Sequence, residues 1–394
     1  MRVLSVASEA VPLIKTGGLA DVVGALPAAL APLGVDQRIM IPAYGGILER
    51  LGNVQEVWAD WNLYGGHVRL FKGRVGTTTV LALDAPQLFH RDGGPYAGSQ
   101  GDYWDNPERF AALSWAAAEV ARDGMGDGWK PDVLHAHDWQ AGLAPAYLHY
   151  YGSGGVKSVM TIHNIAFQGV TDGGRLESLR LPWHAWHPDH AEYHGNISTL
   201  KVGLALCDAI TTVSPTYAEE LMRPEFGMGL QGLIATRAGA LHGILNGVDD
   251  TVWSPEKDES IVPYSARTLD KKADNRAALI KEFGLGDVPG PLAIVVSRLT
   301  WQKGIDLLSE ALPGFIADGG GLVLLGSGES SLEQAVLSAA QHWPDRVGVR
   351  IGYDEALSHR MMAGGDAVLV PSRFEPCGLT QMYGLKYGTV PVVA

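Results

Sequence analysis

Three strand-to-helix junctions carry residue types at spacings that suit a phosphorylated ligand. The first is Lys15-Thr16-Gly17-Gly18-Leu19-Ala20-Asp21. Its glycine pair lets backbone approach a ligand, the helix it opens offers unpaired amides, and Lys15 adds positive charge. A glycine turn with an exposed lysine explains the same residues equally well. The segment has neither the Gly-Lys-Ser/Thr of a Walker loop nor the Gly-x-Gly-x-x-Gly of a dinucleotide site. The second junction, Ser297–Gly304, sets Arg298 and Lys303 five positions apart across a turn, so a planar fork and a point charge can converge on one anion. Solvated surface charge is the plainer alternative. The third runs from Pro371 to Thr380 and places Glu375 ahead of Pro376, Cys377 and Gly378. There the carboxylate can meet sugar hydroxyls and the amides of Gly378, Leu379 and Thr380 can meet phosphate; a capping glutamate is the competing role. Gly326-Ser327-Gly328-Glu329 and Gly352-Tyr353 are further loops of this kind, each weak alone.

Histidines offer a second chemistry. His135-Ala136-His137-Asp138 puts two imidazoles on one side of an extended segment, which invites a metal. A metallo-hydrolase pattern needs a further Asp and His, and Trp139 and Gln140 stand there instead. His184, His187, His190 and His194 lie in a Trp- and Pro-rich stretch and read as solvated. His163, in Thr161-Ile162-His163-Asn164, falls at a strand end, where a ligand belongs.

The elements that must position these residues are legible as apolar Val/Ile/Leu runs alternating with helical spacing, the pattern of a parallel sheet covered on both faces. Strands are predicted at Arg2–Ala7, Gln37–Pro42, Thr77–Leu83, Asp132–His135, Ser158–Ile162 and Ala209–Val213, with helices at Gly18–Ala31 and Pro107–Ala121. A second series follows at Leu292–Val296, Gly321–Leu325, Val347–Ile351, Ala367–Val370 and Val390–Ala394. Its helices are predicted near Gly304–Ala317, Ser331–His342 and Asp354–Ala363. Between the series lies Gly243–Pro255, whose Asn246-Gly247 turn and Pro255 mark a boundary. The expected fold is α/β: two doubly wound domains, 1–245 and 246–394, facing a central cleft at the carboxyl ends of their strands.

Composition narrows the function. The 394 residues exceed the ~150 of one ordinary domain. With 30 Lys+Arg against 43 Asp+Glu the net charge is −13, which disfavours nucleic acid or an anionic membrane as a partner. Two distant cysteines, Cys207 and Cys377, form no disulfide framework; they read as buried thiols in a reducing cytoplasm. The apolar start is interrupted by Glu9 and Lys15 and reads as a strand rather than a signal. Fifty glycines, against an ordinary share of about 7%, imply many tight turns.

Seven segments in order along the chain resemble bacterial glycogen synthases and plant starch synthases. They are Lys15–Pro27, His135–Pro145, Thr161–Gly169, Thr211–Glu220, Ile244–Pro255, Ser297–Leu308 and Ser372–Thr389. These are retaining glycosyltransferases with two Rossmann-like domains of the GT-B type. The resemblance implies transfer of glucose from ADP-glucose to the non-reducing end of an α-1,4-glucan, in the cytoplasm, with no metal or other cofactor. It places the glucan acceptor on the first domain and the nucleotide sugar on the second. Residue by residue, it implies that Lys15, Gly18 and Asp21 lie in the loop facing the donor, and that Arg298 and Lys303 neutralise its diphosphate. His163 would sit beside the transferred glucose and Glu375 on its hydroxyls, with Asp138 and Asn164 at cleft positions. Gly352, Tyr353 and Thr380 would hold adenine, ribose and phosphates, with Cys377, Gly378 and Leu379 in the same turn.

The chain departs from many related transferases eight positions after Glu375, where a second glutamate is replaced by Tyr383. A two-carboxylate mechanism is therefore not expected, and a front-face displacement is. Family members continue past a strand like Val390–Ala394 with a second Thr-Gly-Gly-Leu turn and more helices. The second domain is thus expected to be incomplete, exposing apolar surface near Val390–Ala394 at some loss of stability. Another sugar-nucleotide glucosyltransferase, and a catalytically silent glucan- or nucleotide-binding chain, are the competing readings.

Overall fold

The computed structural model describes all 394 residues, Met1 to Ala394. They divide into two compact units, Met1–Asn246 and Gly247–Ala394.

The first unit is built on nine strands. In chain order these are β1 (Arg2–Val6), β2 (Asp36–Pro42), β3 (Gly52–Leu63), β4 (Gly66–Val75), β5 (Thr78–Asp84), β6 (Val133–His137), β7 (Lys157–Ile162), β8 (Ala209–Thr212) and β9 (Leu241–Gly243). Their spatial order is β9-β8-β7-β6-β1-β2-β5-β4-β3. All neighbours from β9 to β5 are parallel, whereas β4 pairs antiparallel with both β5 and β3. The parallel part follows the apolar runs closely. The antiparallel hairpin was not anticipated: along β3 only Val57 and Leu63 are buried, so the strand carries almost no apolar run. Helices α1 (Gly18–Leu30), α2 (Asn106–Asp123) and α3 (Leu143–Tyr151) belong to this unit, and α2 buries Phe110, Leu113, Ala116, Ala117 and Val120.

The second unit has a fully parallel five-stranded sheet. Its strands are β10 (Leu292–Val296), β11 (Gly321–Gly326), β12 (Val347–Ile351), β13 (Ala367–Val370) and β14 (Val390–Val393), in the order β12-β11-β10-β13-β14. Period-two alternation feeds two cores. Leu292, Ile294, Val323 and Leu325 point into one, Ala293, Val295, Leu322 and Leu324 into the other. Helices α4 (Lys272–Glu282), α5 (Ile305–Ala317), α6 (Ser330–His342), α7 (Glu355–Gly364) and α8 (Leu379–Lys386) complete the unit. Asp354 caps α7, its carboxylate accepting from the Leu357 amide at 2.8 Å. The edge strand β14 exposes Val390, Val392 and Val393.

One core contains a stack of rings. Trp253 lies 3.8 Å from Tyr383 on one face and 4.0 Å from His359 on the other, nearly parallel to both. Below it Asp258 accepts hydrogen bonds from His359 Nδ1 at 2.6 Å and from the Tyr387 hydroxyl at 2.5 Å. Tyr383 and Tyr387 both belong to the α8 region, so the stack holds that helix to the sheet. Trp253→Ala should lower stability by about 3–5 kcal/mol in denaturant unfolding, the cost of an unfilled aromatic cavity.

Candidate active site

On the first unit the candidate residues gather where β1, β6 and β7 end. Asp138, directly after β6, is buried and takes a left-handed φ of 54°, a conformation that short Asp and Asn side chains tolerate best. Its Oδ1 accepts the His163 amide at 2.7 Å and the Asn164 amide at 3.5 Å, so one carboxylate holds the turn that follows β7. Burial pushes this carboxyl up to about 7, against the pull of the two amides. His163 Nε2 lies 2.9 Å from His137 Nδ1, and His137 Nε2 lies 3.0 Å from Ser5 Oγ on β1. His135 stacks beside His137 with centroids 4.0 Å apart, and its Nε2 meets Thr161 Oγ1 at 2.6 Å. Burial holds His135 down to about 4, His163 to about 3 and His137 well below its usual range, so all three are neutral at pH 7.

Lys15 and Asp21 form an ion pair at 2.9 Å across the start of α1, which begins at Gly18. Glu9, which sequence reasoning did not pick out, organises this loop. Nearly inaccessible, it accepts from the Thr16 amide, from Thr16 Oγ1 at 2.5 Å and from the Tyr96 hydroxyl. The available signal was a charge standing in an apolar stretch just past β1.

On the second unit the residues lie after β10, β12 and β13. Lys303 Nζ reaches Glu375 Oε2 at 2.6 Å, and Ser372 Oγ donates to the same oxygen at 3.0 Å. These two turns are joined further by the Arg373 amide donating to Gln302 O at 2.9 Å. The Arg373 guanidinium in turn binds both oxygens of Asp306 at 2.8 and 2.7 Å and covers the Trp301 ring. Gly304 permits this contact. It has φ +65°, and a Cβ there would fall 1.9 Å from the Pro371 carbonyl. Arg298 is exposed in the loop after β10. Gly378, at φ 82°, opens α8 at Leu379, with Thr380 in its first turn. Gly352 donates to Gly326 O at 3.0 Å, and the largely exposed Tyr353 donates its hydroxyl to Glu355. The sequence expectation of two buried thiols holds for Cys207 alone; Cys377 is half-buried, because it lies in this turn rather than in the core. Tyr383 is buried in the ring stack, so the position of the missing second glutamate serves packing. His184, His187 and His194 are exposed, and His190 meets the Tyr150 hydroxyl at 3.0 Å.

Two α/β sheets, one mixed and one fully parallel, each with polar and charged side chains at its strand ends, fit the fold of GT-B glycosyltransferases. The chain belongs to the starch synthase catalytic domain family, which it matches over residues 2–236. It is 64% identical over 393 residues to a glycogen synthase of Cereibacter sphaeroides and 56% identical over 394 residues to that of Paracoccus denitrificans; each alignment covers all of this chain and 82% of the relative. Among solved structures, the catalytic domain of starch synthase IV from Arabidopsis thaliana, bound to ADP and acarbose, is 31% identical. It superposes with a TM-score of 0.89 over 99% of this chain and 82% of that one. A sucrose-phosphate synthase from Thermosynechococcus elongatus, at 18% identity and TM-score 0.61, shares the fold. The chain is accordingly a glycosyltransferase of the glycogen and starch synthase class.

Two outcomes follow from the geometry. The raised Asp138 carboxyl binds a proton in the folded chain at pH values where the unfolded chain has released it. Its contribution is therefore complete below about pH 4 and is lost as pH rises towards 7. The three buried histidines act in the opposite direction over the same range, so the readout is the difference between proteins: the unfolding free energy of wild type minus that of Asp138→Asn, which tolerates the same φ, should fall from pH 4 to 7. Gly304→Ala should cost about 2 kcal/mol or more in chemical unfolding, through left-handed strain and collision with Pro371.

Proposed function

We propose that the chain transfers glucose from ADP-glucose to the non-reducing 4-hydroxyl of an α-1,4-glucan with retention of configuration. The observation that carries this reading is the Lys303–Glu375 pair at adjoining strand ends, with Arg298 in the same loop as Lys303 and the α8 amides following Glu375. Breaking the bond from C1 to the phosphate oxygen leaves an oxocarbenium-like sugar and charge growing on the diphosphate. Fixed cations and helix amides at the leaving group are therefore where rate enhancement arises. Arg298 and Lys303 supply that charge. Glu375, its oxygen held by Lys303 and Ser372, accepts from the sugar hydroxyls, and neutral His163 stands beside the transferred glucose.

The proton of the acceptor hydroxyl passes to the departing phosphate oxygen as the new C1–O4 bond forms on the same face. A buried tyrosine at position 383 supports this front-face course over one with two carboxylates. On the first unit Lys15, Gly18, Asp21, Asp138 and Asn164, and on the second Gly352, Tyr353, Cys377, Gly378, Leu379 and Thr380, are the further residues proposed to contact the substrates.

The reaction is proposed to need no metal or cofactor, since Arg298 and Lys303 can carry the charge that grows on the diphosphate. ADP-glucose and glucan are the proposed partners. The ADP and acarbose on the Arabidopsis starch synthase support that choice. No helix is long and apolar enough to cross a membrane, and both cysteines are free thiols, which supports a cytoplasmic setting. Lys303→Ala should lower kcat for glucan elongation by roughly 10²-fold or more, the scale of one lost transition-state donor. Turnover near wild type would refute the assignment, and a trapped glucosylated side chain would refute the front-face course.

A further inference from the structure

Ser5 lies on β1 with no exposed surface, and its hydroxyl has one partner, His137 Nε2 at 3.0 Å. A buried hydroxyl that leaves its proton without an acceptor costs free energy, so the arrangement in which every proton is accepted is favoured. Ser5 is therefore the donor and His137 Nε2 the acceptor. A neutral imidazole carries one N–H, so the His137 proton sits on Nδ1, from which it donates to His163 Nε2 at 2.9 Å. His163 in turn keeps its single proton on Nδ1, a nitrogen with no protein partner on a half-buried ring. The reverse relay, with His163 Nε2 donating to His137 and His137 donating to Ser5, strands the serine proton inside the protein. Nothing on the far side of Ser5 relieves it: His135 directs its Nε2 to Thr161, which is engaged with Thr211 at 2.6 Å.

We propose that Ser5 and His137 are positioning residues that fix His163 as its Nδ1–H tautomer, making it an obligate hydrogen-bond donor towards an oxygen of the transferred sugar. The relay joins three strands, since Ser5 is on β1, His137 ends β6 and His163 follows β7. Neutrality of all three rings keeps the relay in one protonation state across the physiological range. Its catalytic consequence rests on the transferase reading; the tautomer itself does not.

Imidazole nitrogens bearing a proton are distinguished from bare ones by their 15N chemical shifts, measured on the full chain and assigned with His163→Gln. The expected wild-type spectrum shows His163 protonated at Nδ1 and bare at Nε2; protonation at Nε2 would overturn the relay. Ser5→Ala should mix the two tautomers at His163 and lower kcat by about 5- to 10-fold, the net worth of one hydrogen bond, with the KM for ADP-glucose within about twofold of wild type. Ser5→Thr, which restores the hydroxyl, should recover both readouts. A folded Ser5→Ala protein with the wild-type tautomer and wild-type kcat would refute the proposal, and if that variant fails to fold the wild-type spectrum decides alone. Nδ1 protonation in a chain that transfers no glucose would leave the relay standing and remove the proposed function instead.

Discussion

The ion pair between Lys303 and Glu375 is the contact on which the second unit's candidate site depends. It joins the turns after two adjacent parallel strands, β10 and β13, at 2.6 Å and only partly exposed. A pair of this kind adds little net stability, because desolvating both ions offsets most of their attraction. Its value is positional. Backbone clearance at Gly304, the Arg373 amide on Gln302 and the Arg373–Asp306 fork hold the two turns in register, so a lysine and a carboxylate are presented together. A transition state that separates a cationic sugar from an anionic diphosphate needs such a fixed arrangement of opposite charges.

The first unit solves its positional problem with burial and hydrogen bonds. One buried carboxyl at Asp138 ties the end of β6 to the turn after β7, and a run of neutral histidines continues from there to β1. Desolvation, which costs ionised groups most, is what makes these groups reliable donors and acceptors here: it keeps the histidines neutral and raises the carboxyl towards neutrality.

Most of this fold was legible because parallel strands buried on both faces must be apolar throughout, as in Leu292–Val296, which matches residue for residue; Val347–Ile351 also matches, although it is an edge strand that carries the exposed Arg350. The β3–β4 hairpin was not, since its exposed outer strand has no apolar run to detect. At the site, the glycine-marked turns announced Lys15, Lys303, Glu375 and Gly378 as ligand-facing candidates. What periodicity cannot reveal is contact between distant positions. The His137–His163 hydrogen bond spans 26 residues and the Trp253–Tyr383 stack joins opposite ends of a domain, so neither leaves a local trace. Glu9 stands out in the sequence only as a charge interrupting an apolar stretch; its organising role does not, as its partners Thr16 and Tyr96 come together only when the chain folds.

The central claim is retaining glucosyl transfer from ADP-glucose by a charge-stabilised departure of ADP. Its most direct test is NMR of a reaction containing this chain, ADP-glucose labelled with 13C at C1 of the sugar, and maltoheptaose. The account predicts growth of a labelled anomeric signal with α-1,4 linkage, matched mole for mole by released ADP and unaffected by a metal chelator. A β-linked product, or ADP release without any labelled glucan, would contradict it.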